Sequence, residues 1–126
     1  MNILGEIKEI LTEILDLEDR EITPETYLVR ELDVESIDLL ELAVALNSQF
    51  NIEVSDDDIF LKKFRLYVTE AEQQKTDMVQ YVTAKLPFLT KSRAEEIMAD
   101  LDGGPALKVK DLISYVVWQR KDETFA

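Results

Sequence analysis

The chain is organised around Leu32-Asp33-Val34-Glu35-Ser36-Ile37-Asp38-Leu39-Leu40-Glu41-Leu42. A serine stands where an acidic loop turns into a run of apolar residues at helical spacing. Leu39, Leu42, Leu46 and Phe50 share one face, which predicts a helix from Ser36 to Phe50. Ile37, Leu40 and Val44 make a second stripe, interleaved with Asp38 and Glu41. A surface helix needs only one stripe. Mixed with carboxylates, the second reads as a surface offered to a partner rather than as more core. Glu31, Asp33, Glu35, Asp38 and Glu41 crowd the serine, and no Lys or Arg occurs from Glu31 to Leu61. Without a base beside it, the hydroxyl is poorly placed as a catalytic nucleophile. It suits a modification site displayed on an acidic knob. Taken alone, Ser36 also reads as an ordinary helix N-cap.

Working outward, Ile3, Ile7, Ile10, Leu11, Ile14 and Leu15 define a core-facing helix over about residues 2–16, with Glu6, Lys8, Glu9 and Glu13 opposite. Residues 17–34 read as a long loop. Thr23-Pro24 marks a turn or one short helical turn there, and Ile22, Tyr27, Leu28 and Leu32 can pin the loop to the core. After a turn at 51–54, Ser55-Asp56-Asp57-Asp58 resembles a cap and the acidic first turn of a short helix. The Asp triplet lacks the glycine and closing glutamate of a calcium loop, so no metal site is expected.

Ala71, Met78, Val82 and Leu86 suggest one helix over 69–86, ended by Pro87. Ser92 with Glu95 suggests a capping box for a second, carrying Ala94, Ile97, Met98 and Leu101 and stopped by Asp102-Gly103-Gly104-Pro105. Val109, Leu112, Ile113, Val116 and Val117 predict a last helix over about 109–121, followed by a polar tail to Ala126 that should fray. No strand alternation or repeat occurs, so the expected class is all-α, a small helical bundle.

A chain of 126 residues suits one domain, 1–126, and 46% apolar residues can build its core without metal or disulfides. Cysteine and histidine are absent, which removes thiol nucleophiles, Cys-zinc sites and the commonest general base. A net charge of −13 repels phosphate backbones, so nucleic acid is not an expected partner, and basic protein patches are. No apolar run reaches membrane-span length and the N-terminus lacks the basic flank of a signal peptide, which leads to the expectation of a cytoplasmic monomer. Two other classes compete: an acidic helical adaptor without a cofactor, and an enzyme using paired carboxylates, for which no polar cleft can be assigned.

The residues from Leu32 to Leu42 resemble the signature of the acyl carrier protein family, in which Asp-Ser-Leu opens the second helix after Leu-Gly. The similarity continues through Ala45-Leu46, Phe50 to Asp56, and Val109 to Val116. It implies a carrier rather than an enzyme, with a four-helix bundle, a long first loop and an extra helical insertion at 62–106. It implies a 4′-phosphopantetheine arm on Ser36, attached by a phosphopantetheinyl transferase using coenzyme A and holding acyl groups as thioesters. By the same resemblance the acyl chain would shelter among residues such as Leu39, Leu42 and Leu46. Glu35, Ile37, Asp38, Leu40, Glu41, Val44, Glu53, Val54 and Asp56 would face acyl synthases and acyl transferases with basic patches. The pathway would be fatty acid or specialised lipid biosynthesis, with a peptidyl or aminoacyl carrier as the alternative. Departures are Glu35 for the motif Asp, Ile37 for Leu, and Asp33 for the usual Gly; Asp tolerates a left-handed backbone better than most residues. Asn47, Ser48 and Gln49 stand where common fatty-acid carriers tend to be acidic.

Twenty-seven acids face fourteen bases, and the acids crowd residues 31–58. Their repulsion should weaken the folded state at low ionic strength, and about 0.1 M salt shortens the Debye length to about 10 Å. The melting temperature should rise across that range, and more steeply with divalent cations. A flat thermal melt across the series would contradict this.

Overall fold

The computed structural model describes residues 2–18 and 20–124. Its helices are α1 (Ile3–Leu15), α2 (Ser36–Phe50), α3 (Asp56–Ile59), α4 (Phe64–Gln74), α5 (Met78–Lys85), α6 (Lys91–Asp100) and α7 (Val109–Thr124), with a 3₁₀ turn at Leu101–Gly103. Among the described residues there is no strand, only an isolated bridge between Tyr27 and Lys108. The chain is all-α, as its periodicity indicates.

Helix α1 starts where Asn2 Oδ1 accepts from the Gly5 N–H (2.9 Å), and it buries Ile7 and Leu11. Helix α2 has the bounds expected of it and buries Leu42, Ala43, Leu46 and Phe50. The long loop is tied down by Ile22, Leu28 and Leu32, all buried, while Tyr27 is half-buried. Thr23-Pro24 forms a turn and no helix. This loop closes the start of α7: Thr26 O accepts from the Val109 N–H and Pro24 O from the Lys110 N–H, so two orphan donors of that helix are satisfied.

The insertion departs from expectation. The single helix over 69–86 is two helices, α4 and α5. Lys75 takes a left-handed conformation (φ 57°) that ends α4, and Asp77 Oδ1 accepts from the Gln80 N–H (3.0 Å) to start α5. A non-glycine stop and an aspartate cap are weak signals inside a polar run. Thr90, not Ser92, caps α6, its Oγ1 accepting from the Arg93 N–H (3.0 Å). Ser55 precedes α3 without a side-chain cap bond; its N–H donates instead to the Tyr115 hydroxyl (3.0 Å). Helix α7 continues to Thr124, past the expected end at 121, and the end of the tail expected to fray, 125–126, lies outside the described residues.

Val82, Leu86, Phe88, Leu89 and Ile97 of the insertion belong to the same buried cluster as Ile7, Leu42 and Leu46 of the bundle. Phe88 packs edge-on against Tyr115 (centroids 5.1 Å apart) and beside Trp118 on α7. Arg93 of α6 is buried. Its Nε and Nη2 donate to the two carboxylate oxygens of Asp111 at 2.8 Å each, and Nη2 also donates to Ala106 O. Asp111, also buried, accepts in addition from the Lys108 N–H, which caps α7. Burial alone would lower the Arg93 pKa, but its bonds to Asp111 outweigh this and hold it above the ordinary value. Around this pair, Lys110 bridges Glu96 and Glu25, and hydrogen bonds from Lys108 and then Lys110 hold the Glu25 carboxyl down to about 2.

Removing one partner of a buried ion pair strands the other charge. Arg93→Ala should therefore cost about 3–5 kcal/mol of unfolding free energy, more than an exposed Lys62→Ala, in urea titration. The double replacement Arg93→Met with Asp111→Leu should recover part of that loss. A cost for Arg93→Ala within about 0.5 kcal/mol, the range of ordinary surface changes, would show that the pair is not needed to hold α6 on α7.

Candidate functional site

Ser36 is the first residue of α2 and is exposed. The turn leading to it requires Asp33 at φ 57°, the left-handed region, with the Asp33 N–H donating to Val29 O and the Val34 N–H to Leu28 O. Glu35, in extended conformation, is the N-cap residue of α2. Asp38 Oδ2 accepts from the Glu35 N–H (2.9 Å), the return half of a capping box. Ser36 thus lies one residue inside the helix and is not its cap, which leaves the hydroxyl uncommitted to the helix start. Exposed at a helix N-terminus, it stands where backbone N–H groups and the helix dipole favour an attached anionic phosphodiester.

Beyond Ser36, Ile37, Leu40 and Val44 are 61%, 56% and 70% exposed, unusually open for large apolar side chains. Glu35 and Glu41 are exposed beside them and Asp38 is half-buried. Leu40, Val44, Val54 and Asp56 share a shallow depression of about 280 Å³ with Ala43 and Asn47. Leu40, Glu41 and Val44 also border a wider one of about 550 Å³ with Ile14, Ala45 and Ser48. Glu53 is exposed but outside both depressions. Acids of the base-free run engaged within the chain include Asp38 as above, Glu31, whose Oε1 accepts from the Tyr27 N–H (3.1 Å), and Asp57, which pairs with Lys63 Nζ (3.5 Å).

On the other side of α2 lies a cleft of about 340 Å³. Leu39 and Val29 line one wall, Phe60 and Leu61 the end of α3, and Phe64, Ile97 and Leu101 the inserted helices and 3₁₀ turn. Lys62 and Arg65, two of the first three cations after the base-free run, also line it. Arg65 Nη2 donates to Leu101 O, closing α4 onto the end of α6. Of the three residues expected to shelter a chain, only Leu39 lines this cleft. Leu42 and Leu46 are 1% and 0% exposed in the closed core, because their face of α2 is filled by packing within the bundle. Sequence reasoning named Ile97 and Leu101 as the apolar side of a helix in this segment, and did not single out Phe64.

Among the described residues, no group of three or more acidic, His or Cys side chains is arranged to hold a metal ion, and no helix is long and apolar enough to cross a membrane.

Residues 5–63 match the protein family described as the phosphopantetheine attachment site. An acyl carrier protein of Buchnera aphidicola subsp. Baizongia pistaciae is 40% identical over 57 residues, which are 45% of this chain and 73% of that protein. One from Wolinella succinogenes is 38% identical over 58 residues, 46% of this chain and 76% of its own. The meromycolate extension acyl carrier protein of Mycobacterium leprae is 27% identical over 88 residues, 67% of this chain and 76% of its own. No solved structure matches the chain. The relative matched at 40% identity over most of its length, together with the attachment-site match, shows the kinship, and the cofactor class is phosphopantetheine. The chain belongs to the acyl carrier protein family, whose members are carriers serving other enzymes and not enzymes themselves.

Proposed function

We propose that this carrier bears its 4′-phosphopantetheine on Ser36 and serves fatty acid or specialised lipid biosynthesis in the cytoplasm. The observation that carries the reading is an exposed serine at the first position of α2, inside the matched attachment region and one helical turn from Leu39 in the apolar cleft. When bound, the arm supplies a terminal thiol that holds an acyl group as a thioester. The chain has no cysteine of its own to do this. Asp38 and the left-handed Asp33 hold the turn that presents the exposed Ser36 to a transferase using coenzyme A. Ile37, Leu40 and Val44 supply apolar contact area, and Glu35, Glu41, Glu53, Val54 and Asp56 complete an acidic surface for basic patches on acyl synthases and acyl transferases. One relative is named for extension, and we assign this chain to the same broad work. Its strong acidity favours an acyl over a peptidyl or aminoacyl carrier. We further take 1–126 as one domain with residues 62–106 inserted, since both parts share a buried cluster.

Intact mass after incubation with a phosphopantetheinyl transferase and coenzyme A tests the assignment. The parent should gain one arm and Ser36→Ala none. Because Ser36 is exposed and not the cap, that substitution should change stability by no more than about 0.5 kcal/mol. A Ser36→Ala protein that still gains the arm would sink the assignment, and a parent that gains none would leave the acidic adaptor reading. Charge reversal at Glu41, which is exposed, should slow association with a basic partner enzyme by about tenfold at low salt and leave the melt nearly unchanged. Asp38→Lys should slow association too, but it also removes the return cap bond, so its unfolding free energy should fall by about 1 kcal/mol.

A further inference from the structure

We propose that Arg30 is a positioning residue for arm attachment: its grip on the end of α6 holds the turn that presents Ser36, so the inserted segment sets how well a transferase can use this carrier. This rests on the reading of Ser36 as the arm-bearing residue. Arg30 precedes Ser36 in the first loop and, with Arg20, is one of the two bases between Lys8 and Lys62. A loop arginine ordinarily keeps its charged head in water. Here the side chain is only 22% exposed and its guanidinium is turned inward. Nη1 donates to both carboxylate oxygens of Asp100 (3.0 Å each), and Nη2 donates to the carbonyls of Asp100 (2.8 Å) and Gly104 (2.9 Å). The Tyr27 ring lies 4.3 Å from the guanidinium carbon, and its hydroxyl donates to the same Asp100 carboxylate. Hydrogen bonds from Tyr27 and then Arg30 hold that carboxyl below its ordinary pKa, so the acceptor stays charged.

Tyr27 and Arg30 both belong to the turn. Tyr27 O accepts from the Glu31 and Leu32 N–H groups, Val29 O from the Asp33 N–H and Leu28 O from the Val34 N–H. Residues 27–34 are therefore one hydrogen-bonded unit, and α2 begins just beyond it at Ser36. Its near end is tied to the strand-like segment before α7, where the Leu28 N–H donates to Leu107 O. At its far end Leu32 and Val34 are buried, an attraction without direction. Among the described residues, the directional bonds from this far half to the inserted segment are those of Arg30. Two observations show that the fold is built around this grip. Arg30 Nε is buried without a partner, a cost that an arginine free to turn to water would escape. Gly103 gives the guanidinium its space, because a Cβ there would stand 3.0 Å from Nη2 and 3.1 Å from Cζ and Nη1.

The experiment measures KM and kcat of a phosphopantetheinyl transferase for the parent, Arg30→Gln, Asp100→Ala and the double variant, alongside amide hydrogen exchange of each unmodified protein. A turn that is correctly placed only about a tenth of the time raises the apparent KM about tenfold and leaves kcat near the parental value, which is the result expected of Arg30→Gln. Asp100→Ala should raise KM in the same direction, and the double variant should be no worse than Arg30→Gln, since both changes break one contact. The two single changes alter net charge in opposite senses, so a shared rise in KM is not a charge effect. The Asp33 and Val34 amides should exchange about tenfold faster in Arg30→Gln, with those of Leu42 and Leu46 unchanged. A parental KM in Arg30→Gln overturns the proposal. So does a rise that Asp100→Ala does not share, which would mean that the transferase touches Arg30 directly. Unchanged exchange at Asp33 and Val34 overturns it too, and that measurement needs no transferase, so it judges the grip even if the parent gains no arm. Should Arg30→Gln lose protection at Leu42 and Leu46 as well, Gly103→Ala decides, because it displaces the guanidinium and alters neither partner nor any charge. Its KM should rise by about twofold to threefold with faster exchange at Val34, and parental values for both overturn the proposal.

Discussion

A buried guanidinium and a buried carboxylate, Arg93 and Asp111, join the inserted helices to the last helix of the bundle. Taking both charges out of water is costly, and the pair persists because its geometry is bidentate and its remaining bonding capacity is used. Arg93 also donates to the carbonyl of Ala106, and Asp111 accepts the N–H that opens α7. One contact thus orients α6, fixes the segment before α7 and caps α7. The first loop then hydrogen-bonds to the next two residues, Val109 and Lys110, so the loop that leads to Ser36 takes its position from the same place.

Much of the site was legible in the sequence because its determinants are local. The apolar stripe and the acid-rich turn marked α2 from Ser36 to Phe50, and an aspartate in place of glycine at 33 foretold a left-handed residue that the backbone adopts. Ile37, Leu40 and Val44 read as a surplus stripe and are in fact open to solvent. The losses have equally local causes. Lys75 adopts a left-handed stop without being glycine, and Asp77 restarts the helix two residues later, so a single stripe appeared to run through what is a break. Thr90 and Ser92 stand two positions apart, and sequence alone does not rank two such neighbouring caps.

The cleft was not legible because it belongs to no single segment. Val29 and Leu39 come from the carrier half, Ile97 and Leu101 from residues nearly 60 or more positions further on. Periodicity reports which face of a helix is apolar, not which helix covers it. Leu42 and Leu46 look as suitable as Leu39 on the helical wheel; only the packing of the bundle separates a lining residue from two sealed ones.

The aromatic contact across the junction has an optical meaning. The chain holds one tryptophan, Trp118, and it lies on α7 with its ring 6.3 Å from Phe88 of the insertion and 5.7 Å from Tyr115. Any loosening of the insertion from the bundle alters the surroundings of that one indole, while the turn at Ser36 belongs to the other end of the connection. The protein therefore carries an intrinsic fluorophore at the seam between its two parts, and its emission reports their docking without a label.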